Sequence, residues 1–98
     1  MSAPSSDSAA IRQVVRALRA ADYGILDVDN GDGPVALDTE ADIIEEATAA
    51  DEATMRVSLP NGGIGWIFFV LGNDPEEVVC DHSVNLSPVL DALTDGWW

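Results

Sequence analysis

The chain has 98 residues, 47% of them hydrophobic, with four Lys+Arg against eighteen Asp+Glu and a formal net charge of −14. The apolar content excludes an intrinsically disordered chain, and the length is that of one domain with a modest core. The charge excludes direct binding to nucleic-acid phosphates or anionic lipid, because the Coulomb term is repulsive.

The charge is unevenly spread. All four basic residues are arginine (Arg12, Arg16, Arg19 and Arg56), and three of them lie in the first 23 residues with Asp7 and Asp22. From residue 24 onward Arg56 is the only cation. A basic protein, small cations or a salty solvent are the counterparts such a surface suits. A single cysteine, Cys80, leaves no intrachain disulfide and points to a reducing compartment. MSAPSSDSAA lacks the basic and apolar regions of a signal peptide, and the longest apolar-dominated run, Ile64 to Leu71, is far short of a membrane span. A cytoplasmic protein without membrane contact is the expectation.

Residues 1–7 are small and polar and read as a disordered N-terminus; 8–98 read as a single acidic domain. Ile11, Val14, Val15 and Leu18 stand at i, i+3, i+4 and i+7, so a helix is predicted from Ser8, with Gly24 as its stop. Tyr23–Asp29 and Pro34–Leu37 flank Asn30-Gly31-Asp32-Gly33, and Asn-Gly tolerates the positive φ of a tight reversal, which predicts a hairpin. Asp38 or Thr39 then caps a second helix, with Glu40 and Asp42 in its first turn and Ile43, Ile44, Ala47 and Ala50 as its buried stripe.

Thr54 to Leu59 alternates polar and apolar, as a half-buried strand does. After Pro60-Asn61-Gly62-Gly63, residues Ile64 to Leu71 are apolar on both faces: Trp66, Phe68 and Val70 on one, Ile67, Phe69 and Leu71 on the other. Such a strand belongs in a sheet covered on both sides or at a subunit interface. Gly72-Asn73-Asp74-Pro75 turns the chain, and Val78 to Ser83 returns as a third strand. Ser87-Pro88 signals a helix start, and Leu86, Val89, Leu90, Leu93 and Trp97 follow helical spacing to Gly96. The fold class is therefore α+β: a mostly antiparallel sheet, made of a hairpin plus a three-stranded meander, packed with about three helices.

Few residues invite chemistry. Asp27-Val28-Asp29-Asn30-Gly31-Asp32-Gly33 suggests a calcium loop, but neither register supplies Gly at position 6 together with a carboxylate at position 12. Cys80 and His82 fall on one face of a strand, yet Asp81, His82 and Ser83 are consecutive and cannot converge as a triad. A buried Cys80 beside a hydrogen-bonded or exposed His82 is the plainer reading. One Cys and one His are too few for structural zinc, and no phosphate-binding loop is present, so no enzyme, cofactor or metal is expected.

What remains is interaction. The expected function is that of an accessory or regulatory protein, docking a basic, nucleic-acid-binding partner as a nucleic-acid mimic. Glu40, Asp42, Glu45, Glu46, Asp51 and Glu52 form the expected patch, joined by Asp27, Asp29 and Asp32. Trp98 is the expected partner or subunit anchor, and self-association as a homodimer through the doubly apolar strand or the Trp terminus is a further expectation. The alternatives are a salt-adapted domain whose charge is only solvation, and a small ligand-binding protein or enzyme built on Cys80 and His82.

Overall fold

The computed structural model describes residues 3–97, and Trp98 lies outside them. Within these residues three helices and a five-stranded antiparallel sheet make an α+β fold. The elements run α1 (Asp7–Ala20), β1 (Gly24–Asp29), β2 (Pro34–Val35), α2 (Glu40–Ala47), β3 (Glu52–Ser58), β4 (Ile64–Val70), β5 (Val79–His82) and α3 (Ser87–Asp95), with the sheet in the order β2-β1-β3-β4-β5.

Helix α1 forms where the apolar stripe predicts it. Ser6 caps it by accepting from the Ala9 amide, and Ala10, Ile11, Val14, Val15 and Leu18 are buried. Of the first seven residues, 1–2 lie outside the described part, Pro4 is buried, and Asp7 accepts a hydrogen bond from the Gly72 amide (3.1 Å). The helix does not stop at Gly24. Asp22 takes the left-handed conformation (φ 66°), and the Tyr23 and Asp22 amides fold back onto the carbonyls of Leu18 and Arg19. That is the double hydrogen bond of a Schellman ending, with Asp where glycine is usual. Gly24 instead opens β1.

Helix α2 is capped by Thr39, whose hydroxyl accepts from the Asp42 amide (3.1 Å). It ends at Ala47, so Ala50 is exposed rather than part of the buried stripe. Ser87 is not the cap of α3. A 3-10 turn (Val84–Leu86) runs directly into the helix and leaves Ser87 at its first position, with Pro88 next, where a missing N–H has no consequence.

The two faces of the sheet differ. Met55 and Val57 of β3, Ile67 and Phe69 of β4 and Val28 of β1 are all buried and share one core with the helices. Strand periodicity then places Thr54, Arg56 and Ser58 of β3, and Ile64, Trp66 and Phe68 of β4, on the opposite face. Burial follows that division: Ile64 is 60% exposed and Trp66 40%. Among the described residues the expectation that β4 is covered on both faces is not met, because the three helices share one core on one side of the sheet.

Two register shifts disturb the alternation. One lies between Ile25 and Asp27, which pair with Val57 and Arg56, so both Ile25 and Val28 reach the core side while Asp27 turns outward. The second lies opposite Phe68 and Phe69, which pair with Asp81 and Val79 and leave Cys80 unpaired.

Candidate docking surface

The open face is laid out in rows across the strands. Asp27, Arg56 and Trp66 form one row through the pairs Asp27↔Arg56 and Arg56↔Trp66. Asp29, Thr54, Phe68 and Asp81 form the next, and Glu52↔Val70 a third. Apolar side chains on β4 thus stand between carboxylates on β1 and β3 to one side and Asp81 on β5 to the other.

Arg56 does not neutralise this face, because it is already engaged. Its Nε donates to both carboxylate oxygens of Asp27 (3.0 Å each), and its Nη2 donates to Oδ2 as well. The hydrogen bond and the charge of Asp27 together raise the Arg56 pKa. Asp27 is 7% exposed, which suits a carboxylate whose acceptors are filled by a fork of charged donors.

The turn after β1 carries the acidic margin of this face. Asp29 Oδ1 accepts from the amides of Gly31 (2.9 Å) and Gly33 (3.2 Å), so this carboxylate shapes the turn. Gly31 and Gly33 adopt φ of 111° and 104°, which only glycine takes readily. Asn30 Nδ2 donates to the Glu46 carbonyl (3.3 Å), which ties the turn to α2. Two shallow depressions flank it. Asp29, Asn30, Gly31, Glu52, Thr54 and Phe68 line one of about 200 Å³; Leu37, Asp42, Glu45 and Glu46 line another of about 270 Å³. Asp29 and Glu52 share the first depression with Phe68, Asp42, Glu45 and Glu46 share the second, and the Asn30–Glu46 contact joins the two groups into an acidic margin.

The expected acidic patch is only partly assembled. Asp42, Glu45, Glu46 and Glu52 lie on this margin together with Asp29, while Asp32 is exposed in the hairpin turn. Asp51 is exposed in the turn before β3, where its carbonyl accepts from the Leu71 amide. Glu40 is turned to the arginine stripe of α1: Arg16 Nε donates to its Oε1 at 2.7 Å, and Arg19 donates to the nearby Asp38 carbonyl. The hydrogen bond from Arg16 lowers the Glu40 pKa, opposed by desolvation and aided to a lesser degree by the charges of Arg16, Arg12 and Arg19. A depressed folded-state pKa stabilises above the unfolded value and is lost as pH falls through the folded one. Glu40→Gln is therefore expected to lower the urea midpoint at pH 7 and to lower it less at pH 2.5. An equal loss at both pH values would show that the ion pair is not the cause.

Cys80 is exposed, not buried, because the register shift leaves it out of the strand pairing. The same shift breaks the alternation that would align it with His82. That imidazole lies towards α3, with Nδ1–H donating to the Ser83 carbonyl (2.9 Å) and Nε2 3.5 Å from Asp91. Trp97 closes the core and donates from Nε1 to Gln13 Oε1 (2.9 Å), while Trp98 lies outside the described residues. Among the described residues no group of three or more His, Cys, Asp or Glu side chains could hold a metal, and no helix is long and apolar enough to cross a membrane.

The alternation of β4 puts Trp66 and Phe68 on one side of the strand, whereas the place of Asp81 beside Phe68 and of Arg56 between Asp27 and Trp66 follows only from strand pairing. The side of β3 on which Arg56 stands is legible in the sequence: it alternates in step with Thr54 and Ser58. No protein-family model matches the chain, and neither a curated protein nor a solved structure matches it.

Proposed function

We propose that this chain is a non-catalytic docking domain that binds a basic protein partner, acting in the cytoplasm as an accessory or regulatory subunit. The observation that carries this reading is the acidic margin formed by Asp42, Glu45 and Glu46 of α2 with Asp29 and Glu52 beside Phe68, the two groups being joined by the Asn30–Glu46 contact. Three of the four arginines are engaged, Arg16 with Glu40, Arg19 with the Asp38 carbonyl and Arg56 with Asp27, and Arg12 lies on α1. Exposed like charges of this kind do little for stability, but they steer an oppositely charged partner and make association fast and salt-sensitive.

The test is retention of cellular proteins on the immobilised domain, eluted by rising salt, beside the variant Asp42→Asn/Glu45→Gln/Glu52→Gln. All three side chains are exposed, so the variant is expected to keep its unfolding midpoint. Recovery of a discrete basic protein on the wild type, lost from the variant, is the expected result. Competition of that protein by duplex DNA would make the domain a nucleic-acid mimic. Retention that ignores the substitutions would reduce the charge to solvation and overturn the reading.

A further inference from the structure

We propose that the open face of the sheet, centred on Trp66 and Phe68, receives a basic amphipathic helix of the partner protein; this rests on the docking reading above and names what the partner presents. Large apolar side chains stand on an uncovered face: Ile64, Trp66 and, in part, Phe68. Val84, 86% exposed, stands in the turn hydrogen-bonded to this end of β4, where Ser83 pairs with Trp66 and Asn85 Nδ2 donates to the Ile64 carbonyl. A set of such residues on one face marks an interaction surface.

Charge decides what covers it. Asp29 and Asp81 lie at the two ends of the Phe68 row, three inter-strand spacings apart, or about 14 Å. An α-helix is about 10 Å across with its side chains. Laid along β4 with its apolar side on Trp66 and Phe68, it reaches Asp29 and Glu52 with one flank and Asp81 with the other. Lys or Arg on both flanks then meets carboxylates, and the depression lined by Asp29, Glu52, Thr54 and Phe68 takes one such side chain, its stem on the ring and its charge between the acids. A second copy is disfavoured, since each chain carries −14 and the pairing sets acid against acid. An extended peptide adds to a sheet edge, whereas a face is packed by helices, as the other face of this sheet already is.

The probe is a synthetic Lys/Leu peptide of about 18 residues, five helical turns, with all its Leu on one side. A peptide of the same composition with Leu spread around the helix is the comparison. The segregated peptide is expected to bind the intact domain about tenfold or more tightly than the comparison, and to shift the Trp66 indole N–H resonance while leaving that of Trp97 in place. Trp66→Thr and Ile64→Thr, made separately at exposed β positions, are expected to remove that preference without lowering the unfolding midpoint. Asp29→Asn/Asp81→Asn is expected to weaken binding and flatten its salt dependence, since the carboxamide that replaces the Asp29 carboxylate still offers the oxygen that holds the turn.

Equal binding of both peptides, indifferent to Trp66→Thr, would overturn the proposal and leave docking by charge alone standing. Failure of both peptides to bind would remove both readings. A dimer in sedimentation that Trp66→Thr dissolves would also overturn it, by giving the face to a second copy.

Discussion

Phe69→Ala is expected to destabilise the domain by about 3–5 kcal/mol, the range for truncating a fully buried aromatic side chain. Phe69 is completely buried on the helix side of β4 and is among the largest such side chains in the core. Its partners across the sheet are Ala53 and Val79, both too short to fill the space its ring leaves. A chain of this length carries roughly 5–15 kcal/mol in all, so the variant keeps little in reserve. With a urea slope of about 1–2 kcal/mol per molar, the midpoint falls by about 2 M or more. Phe68→Ala is the internal control. That ring is one residue away on the open face and only partly buried, so its removal costs clearly less. Equal midpoints for the two variants would contradict the assignment of faces.

Gly65→Ala is expected to cost about 1–3 kcal/mol, although alanine is the better residue in an unconstrained strand. A Cβ at Gly65 would stand 2.8 Å from Leu86 Cγ, Asn85 Oδ1 and Ser83 Oγ. None of these can yield freely. Leu86 is fully buried, and the Ser83 hydroxyl accepts from the Trp66 amide while donating to Asn85, which in turn bonds the Ile64 carbonyl. The added methyl therefore lifts the 83–86 turn from β4. Faster amide exchange at Ser83, whose N–H donates to the Trp66 carbonyl (3.0 Å), is the local signature. Gly63→Ala is the comparison: its Cβ would meet Leu59 only at ordinary contact distance and Asn61 Oδ1 at 3.1 Å, an exposed side chain held by one hydrogen bond from the Gly63 amide. Unchanged exchange at Ser83 in Gly65→Ala would refute this account.

Both predictions depend on which side of the sheet a residue faces, and that was partly legible beforehand. The alternation of Thr54, Met55, Arg56 and Val57 and the helical spacing of Ile11, Val14, Val15 and Leu18 arise from fixed geometric periods, so they survive folding intact. The Asn30–Gly33 reversal and the Thr39 cap are equally local, and the structure contains both. The acidic site was less legible. Glu40 belongs by sequence to the same cluster as Asp42 and Glu45, yet it faces the arginines of α1 across 24 residues of chain. Asp81 joins the site through pairing with Phe68, which no local pattern announces.

By itself, then, the sequence determined the helices, the reversals, the two-sided character of β4 and the excess of carboxylates, because each follows from short-range sterics, periodicity or composition. Only the tertiary structure decided that the three helices share one side of the sheet, leaving Trp66 and Ile64 uncovered among the described residues. It alone decided the register shifts that turn Asp27 outward onto Arg56 and leave Cys80 exposed. A shift of one residue reverses the facing of every side chain beyond it, and its position depends on pairing between strands distant in sequence, which the period of a single strand does not encode.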